Sequence, residues 1–251
     1  AVSMPMLQEM AKGLKSNNSE AVIHIHIAEQ TKEVQDCLQA HSMRPVEFLY
    51  DNIEVDKNWC LVHATHLNDN EISMIAKSKA VAGICPTTEA NLGDGLFPLT
   101  SFSKMGGVIG IGSDSHVSRS PIEELRLLEY GQRLTKQERA VYASIEDGTG
   151  GSVGRKLWQD AAMGGAQALG LKSGEIKVGN RFDVLTLNSD HPNLYGLSGN
   201  KIIDALIFNG NDNLVKDVFV AGQKAICNGV HPNEDTIKTN FLSTLKKLQN
   251  I

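Results

Sequence analysis

A large excess of charge of either sign is missing from this chain. Twenty-four Lys and Arg stand against 29 Asp and Glu, a formal net charge of −5. Such mild acidity gives no reason to expect nucleic acid or an anionic membrane as a partner. Long apolar runs are missing too, none approaching the roughly 18–20 residues that a membrane helix needs. Cysteine is sparse, with Cys37, Cys60, Cys85 and Cys227 in 251 residues and no CxxC pair, so zinc-ribbon, thioredoxin and disulfide-framework readings fail. Cys60 and Cys85 lie in apolar, strand-like runs and read as small buried hydrophobes. No G-x-G-x-x-G follows the first strand and there is no P-loop, so glycine-cradled phosphate is a poor reading. The N-terminus shows no basic region followed by an apolar stretch, and a reducing cytoplasm is the default expectation.

What is present is a soluble globular composition, 41% hydrophobic and 5% aromatic, long enough to bury a large core. Strand and helix patterns alternate four times between residues 21 and 145. Strands are predicted at Ala21–Ala28, Trp59–His63, Ala80–Cys85 and Gly107–Gly112. Helices are predicted over 4–14, 31–41, from Pro45, from Asn68 to about Lys79, over 99–105, from Ser120 to about Leu134, and over 136–145. The segment after Cys85, rich in Thr, Asn and Gly, reads as a loop. The strands are short and apolar on both faces apart from histidines, which suits a parallel sheet covered by helices. Beyond a helix at 153–169 the tail reads as short strands at 174–178, 182–187, 203–208, 215–220 and 223–227, with Ala221-Gly222 as a hairpin signal.

Polar residues gather where each strand ends, the edge on which parallel α/β architectures place chemistry. His26 and Asp114 fit as metal ligands from separate strands. Glu29, three residues after His26, suits a general acid/base, and His63 could polarise a substrate. The combination describes metal-assisted hydrolysis of a C–N bond. His24 shares a face with His26 and reads as a packed, hydrogen-bonded residue, and His66 as a loop histidine. His116, close to Asp114, is a candidate for lining the pocket. Glu89 and Asn91 read equally as substrate contacts or ordinary loop polars, Asp94 between two glycines as a turn residue, and Arg119 and Arg126 as surface residues before anion contacts.

The strand H-I-H-I-A-E, the segment L-V-H-A-T-H, the loop C-P-T-T-E-A-N-L-G-D-G and the segment G-I-G-S-D-S-H resemble the amidohydrolase superfamily, and in detail its formimidoylglutamate deiminases. The long loop at 85–95 and E-E-L-R-L-L-E-Y-G-Q-R-L at 123–134 carry most of the specificity. The resemblance implies one divalent metal ion, zinc by preference, with His26 as a ligand from the fifth barrel strand and Asp114 as the eighth-strand metal-associated aspartate and general base. It implies Glu29 as proton shuttle and His63 as the sixth-strand histidine that contacts substrate or hydroxide; Glu89 and His116 are candidate substrate contacts by their position alone. The implied reaction converts N-formimino-L-glutamate and water to N-formyl-L-glutamate and ammonia, and full-length relatives imply a homodimer.

That family's first-strand His-x-His pair has no counterpart here, since His24-Ile25-His26 belongs to the fifth strand by its following Ala28-Glu29. The expected architecture is therefore the C-terminal half of a TIM-like (β/α)8 barrel over residues 1–150, then its last helix and the C-terminal part of a small β-sandwich over 151–251. Four strands do not close a barrel, so an arc with two raw edges and an uncovered inner face is expected, inactive alone and prone to aggregate. Two other activities stay open: deamination of a nucleobase or related heterocycle, and the imidazolonepropionase reaction. A non-enzymatic partner that pairs with another chain is a further reading, against which Glu29 argues.

Overall fold

The computed structural model describes residues 2–143 and 150–249. Four strands, β1 (Ile23–Ile27), β2 (Trp59–His63), β3 (Val81–Ile84) and β4 (Val108–Ile111), pair in sequence order, all parallel. Between and around them run α1 (Met4–Asn17), α2 (Thr31–His41), α3 (Pro45–Asn52), α4 (Asp69–Ser78), α5 (Pro86–Leu92), α6 (Leu99–Lys104), α7 (Pro121–Lys136) and α8 (Val153–Ala168). Local chemistry sets several starts. Asn68 and Glu71 exchange side-chain-to-backbone bonds at α4, while Ser120 accepts from the Glu123 N–H and Pro121 opens α7.

Alternation in β1 turns Ile27 into the core and leaves His24 and His26 on the opposite, exposed face. Trp59, Leu61, Ala82, Ile84 and Ile109 continue the core across the sheet, against Val34, Leu49, Ile75, Phe102 and Leu125 of the helices. Helix α8 does something different. Its first half adds Val153, Leu157 and Ala161 to this core, while its end sets Ala168 against Cys60 and Val81 on the other face. The crossing is close: a methyl group on Gly164 would lie 1.8 Å from the Ile109 carbonyl oxygen. His24 Nε2 donates to the Ala168 carbonyl at 2.7 Å, the hydrogen bond expected of it, but the residue is exposed rather than packed.

These contacts correct the half-barrel expectation. The inner face is not bare, because α8 crosses it, and the β4 edge is met by the same helix at Gly164. The result is a TIM-barrel-like α/β core on one parallel sheet, with an appended antiparallel sheet where part of a β-sandwich is expected. Residues 203–208 are also not a strand but the end of α9 (Asn200–Phe208), packed on α7 and α8 with Ala205, Leu206 and Ile207 all buried. A short apolar run carries no period that separates helix from strand. The loop expected after Cys85 is α5. The helix expected over 136–145 is non-helical from Gln137 to residue 143, and its last two positions lie outside the described residues.

The chain divides into two compact units, Ala1–Glu175 with Leu197–Asn209, and Ile176–Gly196 with Gly210–Ile251. The second holds β5 (Val184–Leu187), β6 (Val215–Val220) and β7 (Gln223–Ile226), an antiparallel meander followed by α10 (Glu234–Leu248); no strand forms at 174–178. The β6–β7 turn is Ala221-Gly222, both left-handed (φ 49° and 80°), as a two-residue hairpin requires. Among the described residues no helix is long and apolar enough to cross a membrane.

Gly164 and Gly165 make a paired test. Gly164→Ala drives a methyl into the β4 backbone and is expected to destabilise by about 1–3 kcal/mol or more. Gly165, with open space at its Cβ position, should gain up to about 1 kcal/mol as Ala from helix propensity. Urea denaturation midpoints of the two variants, moving in opposite directions, check the α8–β4 contact.

Candidate metal centre

The parallel register brings the ends of β1 and β2 level, with His26 beside Val62 and Ile27 beside His63. Asp114 follows β4 by three residues. The donor atoms of His26, His63 and Asp114 all lie within 4.8 Å of one another. His26 Nε2 is 3.9 Å from Asp114 Oδ1, and the two imidazole centroids are 5.3 Å apart. Glu29 Oε1 stands 3.6 Å from His63 Nε2.

His63 is fully buried, and its two nitrogens have different fates. Nδ1 donates to Glu89 Oε1 at 3.2 Å, while Nε2 has no hydrogen-bond partner. A buried imidazole nitrogen without a partner is unfavourable unless something else engages its lone pair. The Glu89 bond holds the tautomer in which that lone pair faces the cluster, as carboxylates behind metal-ligating histidines do. Two imidazoles and a carboxylate are the donor types that borderline divalent ions select, so the residues fit a single zinc-like metal ion.

The electrostatics follow from burial and crowding. Burial pulls the His63 pKa down, but the Glu89 hydrogen bond and the charges of Glu29, Glu89 and Asp114 outweigh it and hold the value above the ordinary range. Burial raises the Glu29 carboxyl; Asp94 and Asp114 push the same way, against His63 and His26. The backbone is left-handed at Ala28, His63, Ala64, Asp114 and His116, at or just past three strand ends. Each costs about 1–2 kcal/mol, tolerated where surroundings over-determine it. Here Glu33 accepts the Ala28 and Glu29 N–H groups at 2.8 and 2.9 Å, and Thr88 Oγ1 donates to the Ser113 carbonyl at 3.0 Å and meets Ser115 Oγ at 2.9 Å.

The structure thus brings together His26, Glu29, His63, Glu89 and Asp114. His63 joins the donor cluster itself, where the sequence suggested a catalytic contact to substrate or hydroxide. His116 lies outside it, exposed, with its backbone N–H on the Ser113 carbonyl. Asn91 and Arg119 are exposed, and Arg126 Nε donates to the Ile207 carbonyl, a structural bond. His66 Nε2 bonds the Asp94 carbonyl at 2.7 Å. Sequence reasoning missed Glu33 and Thr88. For Glu33 a signal existed, an acid at the third position of a helix opening just after a strand; for Thr88 there was none.

The family model described as the amidohydrolase family matches residues 2–225. The chain belongs to this family. A formimidoylglutamate deiminase from Pseudomonas aeruginosa is 46% identical over 96% of the chain and 52% of its own length. A 5-methylthioadenosine/S-adenosylhomocysteine deaminase from Pyrococcus furiosus is 27% identical, over 92% of the chain and 54% of its own length. Among solved structures, an amidohydrolase from Brucella melitensis superposes with a TM-score of 0.90 at 42% identity, covering 99% of this chain and 53% of that one. An adenosine deaminase from Xanthomonas campestris with bound zinc shares the fold, with a TM-score of 0.85 at 20% identity, over 100% of this chain and 56% of that one. The expectation of a likeness carried only as a C-terminal part is corrected by the family match, which runs over nearly all 251 residues. The chain spans about half the length of the curated relatives it matches. It is a member of a hydrolase superfamily that carries a divalent-metal donor triad.

Protons and a metal ion compete for His63 Nε2. Glu89 raises the His63 pKa, so Glu89→Gln should let the imidazole deprotonate at lower pH. Zinc titrations between about pH 5 and 8 should then show the uptake midpoint moved to lower pH. The metal-free protein should lose stability in this variant mainly below about pH 6.5, where the ion pair is fully formed. A midpoint moved upward would remove Glu89 from this role.

Proposed function

We propose that the protein carrying this chain hydrolyses a C–N bond of a small heterocyclic or amino-acid-derived molecule and releases ammonia. The observation that carries the reading is convergence: His26, His63 and Asp114 from three strand ends meet in one cluster, with Glu29 against His63 Nε2. A divalent ion held by His26, His63 and Asp114 would supply Lewis acidity and make water acidic enough to give up a proton near neutral pH.

The chain's own residues supply the rest. Asp114 accepts the proton of the attacking water. Glu29, whose raised pKa keeps a proton available closer to neutrality, delivers it to the departing nitrogen. His63 is held by Glu89 so that its Nε2 faces this exchange. Within the class, the 46% identity to a formimidoylglutamate deiminase supports N-formimino-L-glutamate as substrate, with N-formyl-L-glutamate and ammonia as products. A second reading, deamination of a nucleobase-like ring, is favoured by several S-adenosylhomocysteine deaminases that align over 71–98% of the chain. A cytoplasmic home belongs to the same proposal, because all four cysteines are free thiols, which a reducing compartment preserves.

Ammonia release from N-formimino-L-glutamate and from S-adenosylhomocysteine by the zinc-loaded protein separates the readings. The first substrate is expected to react. Reaction of the nucleoside alone would transfer the assignment to the second reading. Glu29→Gln should lower kcat by about 10²–10⁴-fold with zinc content unchanged; retained turnover would remove Glu29 from proton transfer.

A further inference from the structure

Asp94 lies in a turn between two left-handed glycines, Gly93 (φ 73°) and Gly95 (φ 130°). The turn does not expose its carboxylate: Asp94 is 8% exposed and its Oδ2 has no hydrogen-bond partner. Thr65, 3% exposed, has an unpartnered Oγ1. The two segments are in contact. His66 Nε2 donates to the Asp94 carbonyl at 2.7 Å, and the Asp94 N–H donates to the Glu89 carbonyl at 2.9 Å. A methyl on Gly95 would lie 3.5 Å from Thr65 Cγ2 and 3.3 Å from His66 Cε1. The Asp94 turn is therefore seated on the stretch that follows His63, and its charge is felt at Glu29.

A buried carboxylate oxygen with no donor is unfavourable, and such groups are retained where a ligand brings the donor. The ligand that suits it carries N–H groups and positive charge, because a charge-assisted bond to a carboxylate is short and strong. We propose that Asp94, with Thr65 beside it, binds the cationic nitrogen of the substrate, making this a site for protonated amidines rather than neutral ring amines. This rests on the C–N hydrolysis reading and names its substrate class. An amidinium is planar, is positive near neutral pH and presents N–H donors to a carboxylate, whereas a neutral aminopurine offers no charge to offset that of Asp94.

Formamidinium and its neutral counterpart formamide are the probes, titrated by NMR into the zinc-loaded protein. Wild type is expected to bind formamidinium at least 10-fold more tightly. Asp94→Asn should abolish that preference with zinc content and melting temperature unchanged. Thr65→Val, which leaves the glycine turn alone, should weaken formamidinium severalfold and leave formamide as it was. No preference in wild type, or a preference kept by Asp94→Asn, overturns the proposal; if Asp94→Asn does not fold, Thr65→Val without effect overturns it. Turnover is not needed for these titrations, so failure to release ammonia from N-formimino-L-glutamate would strike the functional reading and leave the probes to decide Asp94.

Discussion

A fully buried imidazole and a carboxylate that is 3% exposed depend on each other, and the site depends on both. Neither His63 nor Glu89 could be buried alone without a severe penalty, since breaking one partner from such a pair leaves an uncompensated polar group or charge. Their bond is what makes β2 and the first turn of α5 a single object. Glu89 also accepts the Cys85 N–H at 2.9 Å, which fixes α5 to the end of β3.

The same turn reaches further. Thr87 gives both its N–H and its hydroxyl to buried Glu124 of α7, and Thr88 holds the Ser113–Ser115 loop that carries Asp114. Three consecutive residues thus reach β2, the loop after β4 and α7. On the β1 side Glu33 does the equivalent, gripping the backbone on which Glu29 sits. These bonds explain why left-handed backbone persists at Ala28, His63 and Asp114. The strain is concentrated where the functional side chains must be aimed, and the surrounding hydrogen bonds hold it in place.

Much of this was legible in the residue order. Alternation in I-H-I-H-I placed both histidines on one face, and Trp59–His63 was bounded as found. The caps at Asn68 and Ser120 are local chemistry and behave as local chemistry predicts. Other features could not be read, because each is a contact between distant segments. Glu89 was an ambiguous loop polar until His63, 26 residues away, was set beside it. Asp94 read as a turn and is one; its burial comes from the stretch after His63. The apolar run ending at Phe208 became helix because α7 and α8 offer it a surface. The inner face of the sheet looked bare because nothing in the α8 sequence reveals that its end folds back over Cys60 and Val81.

By itself, the sequence determined the alternation of strands and helices and the presence of imidazoles and carboxylates at strand ends. Those properties are written in neighbouring residues, through periodicity and capping. Tertiary structure alone decided which nitrogen of His63 is free, which carboxylates are stripped of water, and how closely His26, His63 and Asp114 approach. Each of those is set by burial and by distance through space, and a linear order of residues carries neither.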